Sequence, residues 1–96
     1  MLFVVIGWDK PGHVQKRLDA RPAHLEHLAT VKAQLKLAGP FLAADGQTAI
    51  GSLMIYEGAD ESEVRTIMDN DPFSKAGLFE KLEIKPWRQG AGTPLG

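Results

Sequence analysis

Apolar side chains alternate in direction from the second residue on. Leu2, Val4, Ile6 and Trp8 share one face of an extended segment, with Phe3 and Val5 on the other. With apolar residues on both faces, this strand is expected inside a sheet that is covered twice. Asp9-Lys10-Pro11-Gly12 reads as a turn, and His13 to Ala20 as a short helical turn leading into a longer helix. Pro22 suits the first turn of that helix, where no donor is missed. The helix is expected to run to about Leu37, burying Leu25, Leu28, Val31 and Leu35 and exposing Glu26, Lys32 and Lys36, until Gly39-Pro40 stops it.

Phe41 to Ala44 predicts a short second strand, Asp45-Gly46 a hairpin turn, and Thr48 to Tyr56 a third strand. Asp60 is placed to cap a helix over Glu61 to Asn70, with Glu63 completing a capping box and Val64, Ile67 and Met68 forming the apolar stripe. Asp71-Pro72 breaks that helix. Leu78, Leu82 and Ile84 then line a last strand, with Phe79 facing the other way and Pro86 near its end. The order β-α-β-β-α-β predicts an α+β, ferredoxin-like fold: a four-stranded antiparallel sheet with both helices on one face. On the uncovered face Phe3, Val5, Phe41 or Ala43, Leu53, Ile55 and Phe79 would form a broad apolar surface. A homodimer paired through its sheet faces is the simplest way to bury it.

Composition narrows the possible partners. The 96 residues make one domain, expected over residues 1–88, followed by a glycine-rich tail at 89–96 that is expected to be mobile. A formal net charge of −1 and no Lys/Arg cluster give no electrostatic footprint for nucleic acid. The apolar run Leu2–Ile6 is too short for a signal segment or a membrane span, so no membrane partner is expected and a cytoplasmic location is the default. Cysteine is absent, which excludes disulfides, thiol catalysis and cysteine metal sites. No glycine-rich phosphate loop is present, and no cofactor is expected.

The candidate chemistry rests on a few polar residues. His24, in the first turn of the long helix, reads either as a satisfied residue at the edge of the core stripe or as a general acid/base. His27 lies three residues on, but no third ligand stands at a spacing that would complete a metal site. Arg21 is either a surface charge or a guanidinium fork for a substrate carboxylate. Asp71, before Pro72, has a turn-forming role available, as does Asp45 in its hairpin. Ser52 has no nucleophile-elbow pattern around it.

The motifs Lys16-Arg17-Leu18, Arg21-Pro22 with His24-Leu25, Gly39-Pro40, Gly51-Ser52, Asp71-Pro72-Phe73 with Ala76-Gly77-Leu78, and Lys85-Pro86-Trp87 occur in that order over roughly residues 1–88. In this the chain resembles the YCII-related (YciI-like) family, small proteins of the dimeric α/β-barrel type that are similar to muconolactone isomerases. The resemblance implies a pocket between sheet and helices, with His24 and Asp71 as the catalytic pair. It also implies a lyase, isomerase or dehalogenase reaction on a small acidic or lactone-like molecule. Arg21, Ser52 and Asp45 are the candidate substrate-binding residues. The alternative is a dimeric accessory domain that binds a small ligand without turning it over.

Overall fold

The computed structural model describes residues 1–95. The chain folds as β1 (Leu2–Asp9), α1 (Val14–Thr30), β2 (Leu35–Leu42), β3 (Ala49–Glu57), α2 (Glu61–Asp69), the single-turn α3 (Pro72–Lys75) and β4 (Phe79–Trp87). The strands form one antiparallel sheet in the order β2-β3-β1-β4. This is the ferredoxin-like arrangement that the order of elements predicts.

The barrel implied by the family resemblance is not formed. Closure requires the two outer strands to pair, and here β2 and β4 are the opposite edges of an open sheet, separated by β3 and β1.

The core follows from alternation and register. Phe3 lies opposite Tyr56 and Val5 opposite Met54 and Ile84, so these side chains share one face. Val64, Ile67 and Met68 of α2 pack onto that face. The expectation that Phe3 and Val5 belong to the open face is therefore corrected, because both lie in the core under the helices. The opposite face carries Val4, Ile6 and Trp8 from β1, Leu53 and Ile55 from β3, and Leu37 and Phe41 from β2. Trp8 and Phe41 stack there at 4.5 Å across Gly51, where a Cβ would come within 3.0 Å of the Trp8 ring.

The Asp60 cap forms as expected, accepting the Glu63 N–H at 2.9 Å, while the return bond of the box shifts by one residue, a Glu63 oxygen accepting the Ala59 N–H in place of that of Asp60. The first helix differs. It runs unbroken through Pro22 and ends at Thr30 instead of Leu37. An interior proline forfeits one helical hydrogen bond and costs about 3 kcal/mol, so local rules place Pro22 at a helix start. Beyond Thr30 a turn closes, with the Leu35 N–H donating to the Val31 carbonyl at 3.0 Å, and Leu35–Leu42 then joins β3 as an edge strand. Gly39-Pro40 lies inside this strand instead of ending a helix, since an edge position tolerates a residue with no N–H to donate. After Trp87 no helix or strand forms among the described residues; the Gln89 amide bonds the Ala91 and Thr93 carbonyls.

Candidate active site

A cavity of about 490 Å³ opens between α1 and the β2–β3 hairpin. α1 turns an unusual face toward the protein, because the residues it buries are Arg17 and His24. Seven residues apart, they stand two turns from each other on the same side of the helix. Arg21, between them, lines the cavity and is exposed. Leu18 and Leu25 also border the cavity and remain 55% and 45% exposed, so the expectation that Leu25 is buried is corrected.

Asp71 is fully buried (0% exposed). It is the N-cap of α3, accepting the Phe73 N–H at 2.9 Å. The same carboxylate oxygen lies 2.8 Å from Nδ1 of His24, and the other at 3.1 Å. An ionised carboxylate only accepts hydrogen bonds, so Nδ1 carries the proton and donates, and the lone pair of the neutral ring sits on Nε2. Among the described residues Nε2 has no hydrogen-bond partner, and it is not sealed from solvent; the residue lines the cavity. The turn-forming role and the His24 contact of Asp71 thus coexist in one side chain.

A second polar cluster lies along the same helix. Arg17 donates from Nε to Asp9 at 2.6 Å and from Nη2 to the other Asp9 oxygen at 3.0 Å. Nη2 also donates to the Ser52 hydroxyl oxygen at 2.8 Å. The β1–β4 register shifts between Trp8 and Asp9, an irregularity of the kind that re-aims a side chain at a strand end. Nη1 of Arg17 has no hydrogen-bond partner among the described residues and is not sealed from solvent. With the Ser52 oxygen occupied as an acceptor, its O–H remains available to donate. A fixed guanidinium N–H and a hydroxyl side by side make a site for an oxyanion.

Phe73 connects the two clusters: the His24 ring stacks on it at 3.8 Å and 12°, and the Arg17 Cζ lies 4.6 Å from its centroid. Asp45 lies elsewhere. It holds the hairpin turn by accepting from the Gln47 and Thr48 N–H groups and the Thr48 hydroxyl, and these bonds lower its pKa to about 2. Asp45 does not line the cavity, although Gln47 and Thr48 do. Tyr56 is buried in the core with its hydroxyl 3.8 Å from the Met54 sulfur; burial, and secondly the Asp71 charge, push its phenol well above the ordinary range.

The structure therefore brings His24, Ser52 and Arg21 to one cavity, holds Asp71 buried behind His24, and leaves Asp45 in its turn. Sequence reasoning missed Arg17, Asp9 and Phe73. The signal for Arg17 was the 17, 21, 24, 28 spacing of one helical face, hidden when a helix start is placed at Pro22. Among the described residues no cluster of three or more His, Asp or Glu side chains could hold a metal, and no helix is long and apolar enough to cross a membrane.

Fold and site together define a small α+β protein with a buried His–Asp pair and an arginine-walled cavity. The chain belongs to the YCII-related domain family, whose pattern matches residues 1–88. It is 33% identical to protein YciI of Escherichia coli O6:H1, over 93% of this chain and 98% of that one. It is 38% identical to the derivative of benzaldehyde biosynthesis cluster protein C of Emericella nidulans, over 75% of this chain and 83% of that one. Among solved structures it is similar to the 5-chloro-2-hydroxyhydroquinone dehydrochlorinase of Burkholderia phenoliruptrix AC1100 in complex with 2,5-dihydroxybenzoquinone. That match has 39% identity and a TM-score of 0.88, covering 94% of this chain and 96% of that one. The fold is thus YciI-like and dehydrochlorinase-related, and it carries a buried His–Asp pair.

Proposed function

We propose that the protein catalyses a proton-transfer-driven elimination on a small, oxygenated, anionic ring, with dehydrochlorination of a chlorinated hydroxyhydroquinone as the leading case. The observation that carries this reading is the His24 imidazole, held through Nδ1 by a fully buried Asp71 while Nε2 remains open to a cavity that also contains Arg17. The 39% identity to a dehydrochlorinase supports the choice of reaction.

In this reading His24 is the base and Asp71 holds its tautomer and offsets the charge it gains. Arg17 and Ser52 receive the oxyanion left when a ring hydroxyl loses its proton, and Asp9 keeps Arg17 in place. Arg21, at the exposed edge of the cavity, is a contact for a further anionic group such as a carboxylate. Asp45 shapes the hairpin that presents Gln47 and Thr48 to the ligand. The step is redox-neutral overall. Two hydroxyl O–H bonds break; one proton goes to the chlorine-bearing carbon and the other to His24. The C–Cl bond breaks with its electron pair, releasing chloride and leaving a hydroxyquinone.

A homodimer is part of the proposal. The open sheet face carries Trp8, 41% exposed, together with Leu37, Phe41 and Leu53, and a second copy offers the matching apolar surface. Trp8→Glu should halve the mass seen in sedimentation.

The deciding experiment supplies 5-chloro-2-hydroxyhydroquinone and follows chloride release and quinone absorbance together. Equal yields of the two are expected, with kcat falling by about 10²- to 10⁴-fold in His24→Gln while the melting curve stays native. A rate no faster than the uncatalysed reaction, with the compound still bound, would replace this reading with that of a ligand-binding domain.

A further inference from the structure

The hydrogen bonds of the site leave one thing unsettled: the planes of the two groups that act on the substrate. The His24–Asp71 contact holds the imidazole at Nδ1 alone, and a ring held at one atom can still swing about that bond. Asp9 holds only the Nε and Nη2 edge of Arg17. The two anchoring carboxylates belong to different parts of the fold, one at the end of β1 and the other before α3. No hydrogen bond among the described residues links one cluster to the other.

The contact shared by both is Phe73, which is 1% exposed. Its ring stacks on the imidazole at 3.8 Å, tilted by 12°, and lies 4.6 Å from the guanidinium carbon of Arg17. A nearly parallel stack at that distance restricts rotation out of the plane, which is the freedom the Nδ1 bond leaves open.

Phe73 is itself held on several sides. Its N–H donates to Asp71, and its carbonyl accepts the Leu78 N–H at 3.1 Å. The Phe79 ring meets it edge-on at 6.2 Å and 88°. Phe79 occupies that place because residue 7 is glycine, where a Cβ would come within 2.7 Å of the Phe79 ring. A chain of contacts thus runs from Gly7 through Phe79 and Phe73 to the two clusters.

We propose that Phe73 is a positioning residue for the elimination reaction, its ring fixing the orientation of the His24 base relative to the Arg17 oxyanion site. The proposal rests on the proposed function and identifies what sets the geometry on which it depends. Misalignment of a base by a fraction of an ångström to 1 Å lowers rate much more than it lowers binding.

The test compares Phe73→Met, which keeps volume and apolarity but removes the ring face, with Phe73→Tyr, which restores the face. For Phe73→Met, kcat should fall about 10- to 100-fold while KM changes less than about threefold. Phe73→Tyr should stay within about threefold of the wild type on both parameters. In the substrate-free protein, the NMR order parameter of the His24 Cε1–H vector should drop from the rigid range near 0.85 to below about 0.6 in Phe73→Met. An unchanged kcat, an unchanged order parameter, or equal kcat losses in the Met and Tyr variants would overturn the assignment. If His24→Gln kept full turnover, the elimination reading would fall. The order parameter, measured without substrate, would still decide whether Phe73 holds the imidazole.

Discussion

The two main helices, α1 and α2, lie on the same face of the sheet and use it in opposite ways. α2 is short and buries Val64, Ile67 and Met68 against Phe3, Met54 and Tyr56. α1 is nearly twice as long, yet the residues it buries are Arg17 and His24, and it leaves Leu18 and Leu25 largely exposed beside a cavity. One helix fills its space and the other holds a space open. A helix that closed over the sheet as α2 does would leave no room for a ligand. The difference places most of the stability at one end of the layer and the chemistry at the other.

The largest effect expected from breaking this division is on chemistry. Asn is as good a helix cap as Asp, so Asp71→Asn should keep α3. Its amide would donate to Nδ1, force the proton onto Nε2 and remove the base; a loss of about 10³- to 10⁴-fold in kcat is expected with a native melting curve. A drop below tenfold in steady-state assays would count against the dyad. Met68→Ala reverses the pattern. A truncated core methionine should cost about 2–5 kcal/mol in denaturant unfolding, with kcat/KM at 25 °C within about twofold of the wild type.

Ser52→Ala sharpens the comparison, since Ser52 lies on the sheet beneath the cavity and donates nothing to the core. Removing one oxyanion donor should cost about 10²-fold in kcat, about 2.7 kcal/mol, with a loss of about 1–3 kcal/mol in unfolding from the Arg17 N–H left without its acceptor. The smallest effect is at Asp45. Its folded pKa of about 2 lies below the ordinary aspartate value of 3.8, so its contribution is present above pH 3.8 and is lost as pH falls through about 2. Amide exchange at Gln47 and Thr48 should stay protected at pH 4 and lose protection toward pH 2. Asp45→Asn should remove that dependence without altering turnover at neutral pH.

Much of the architecture was legible in the sequence. The Asp60–Glu63 box and the Val64, Ile67, Met68 stripe located α2, and Asp45-Gly46 located the hairpin. These are signals in which neighbouring residues satisfy one another. The first helix misled because its proline is a strong local signal that the tertiary structure overrides. Leu35 and Leu37 fit the end of a helical stripe and also the start of an edge strand, and pairing with β3 decided between them. At the site, residue type singled out His24 and Asp71. Arg17 stood out only as part of a motif, because neither Asp9 nor Ser52 is near it in helical spacing.

By itself the sequence determined the succession of strands and helices, the turns, and the presence of a histidine and an aspartate free of obligatory local roles beyond a cap. Those features depend on contacts within a few residues, which composition and spacing record. The tertiary structure alone decided that the sheet stays open, which face of β1 enters the core, and that α1 continues through Pro22. It also brought His24 to Asp71 across 47 residues of chain and Arg17 to Ser52 across 35. Such pairings are set by how elements pack, since a buried carboxylate and a buried guanidinium persist only where the whole fold supplies their partners.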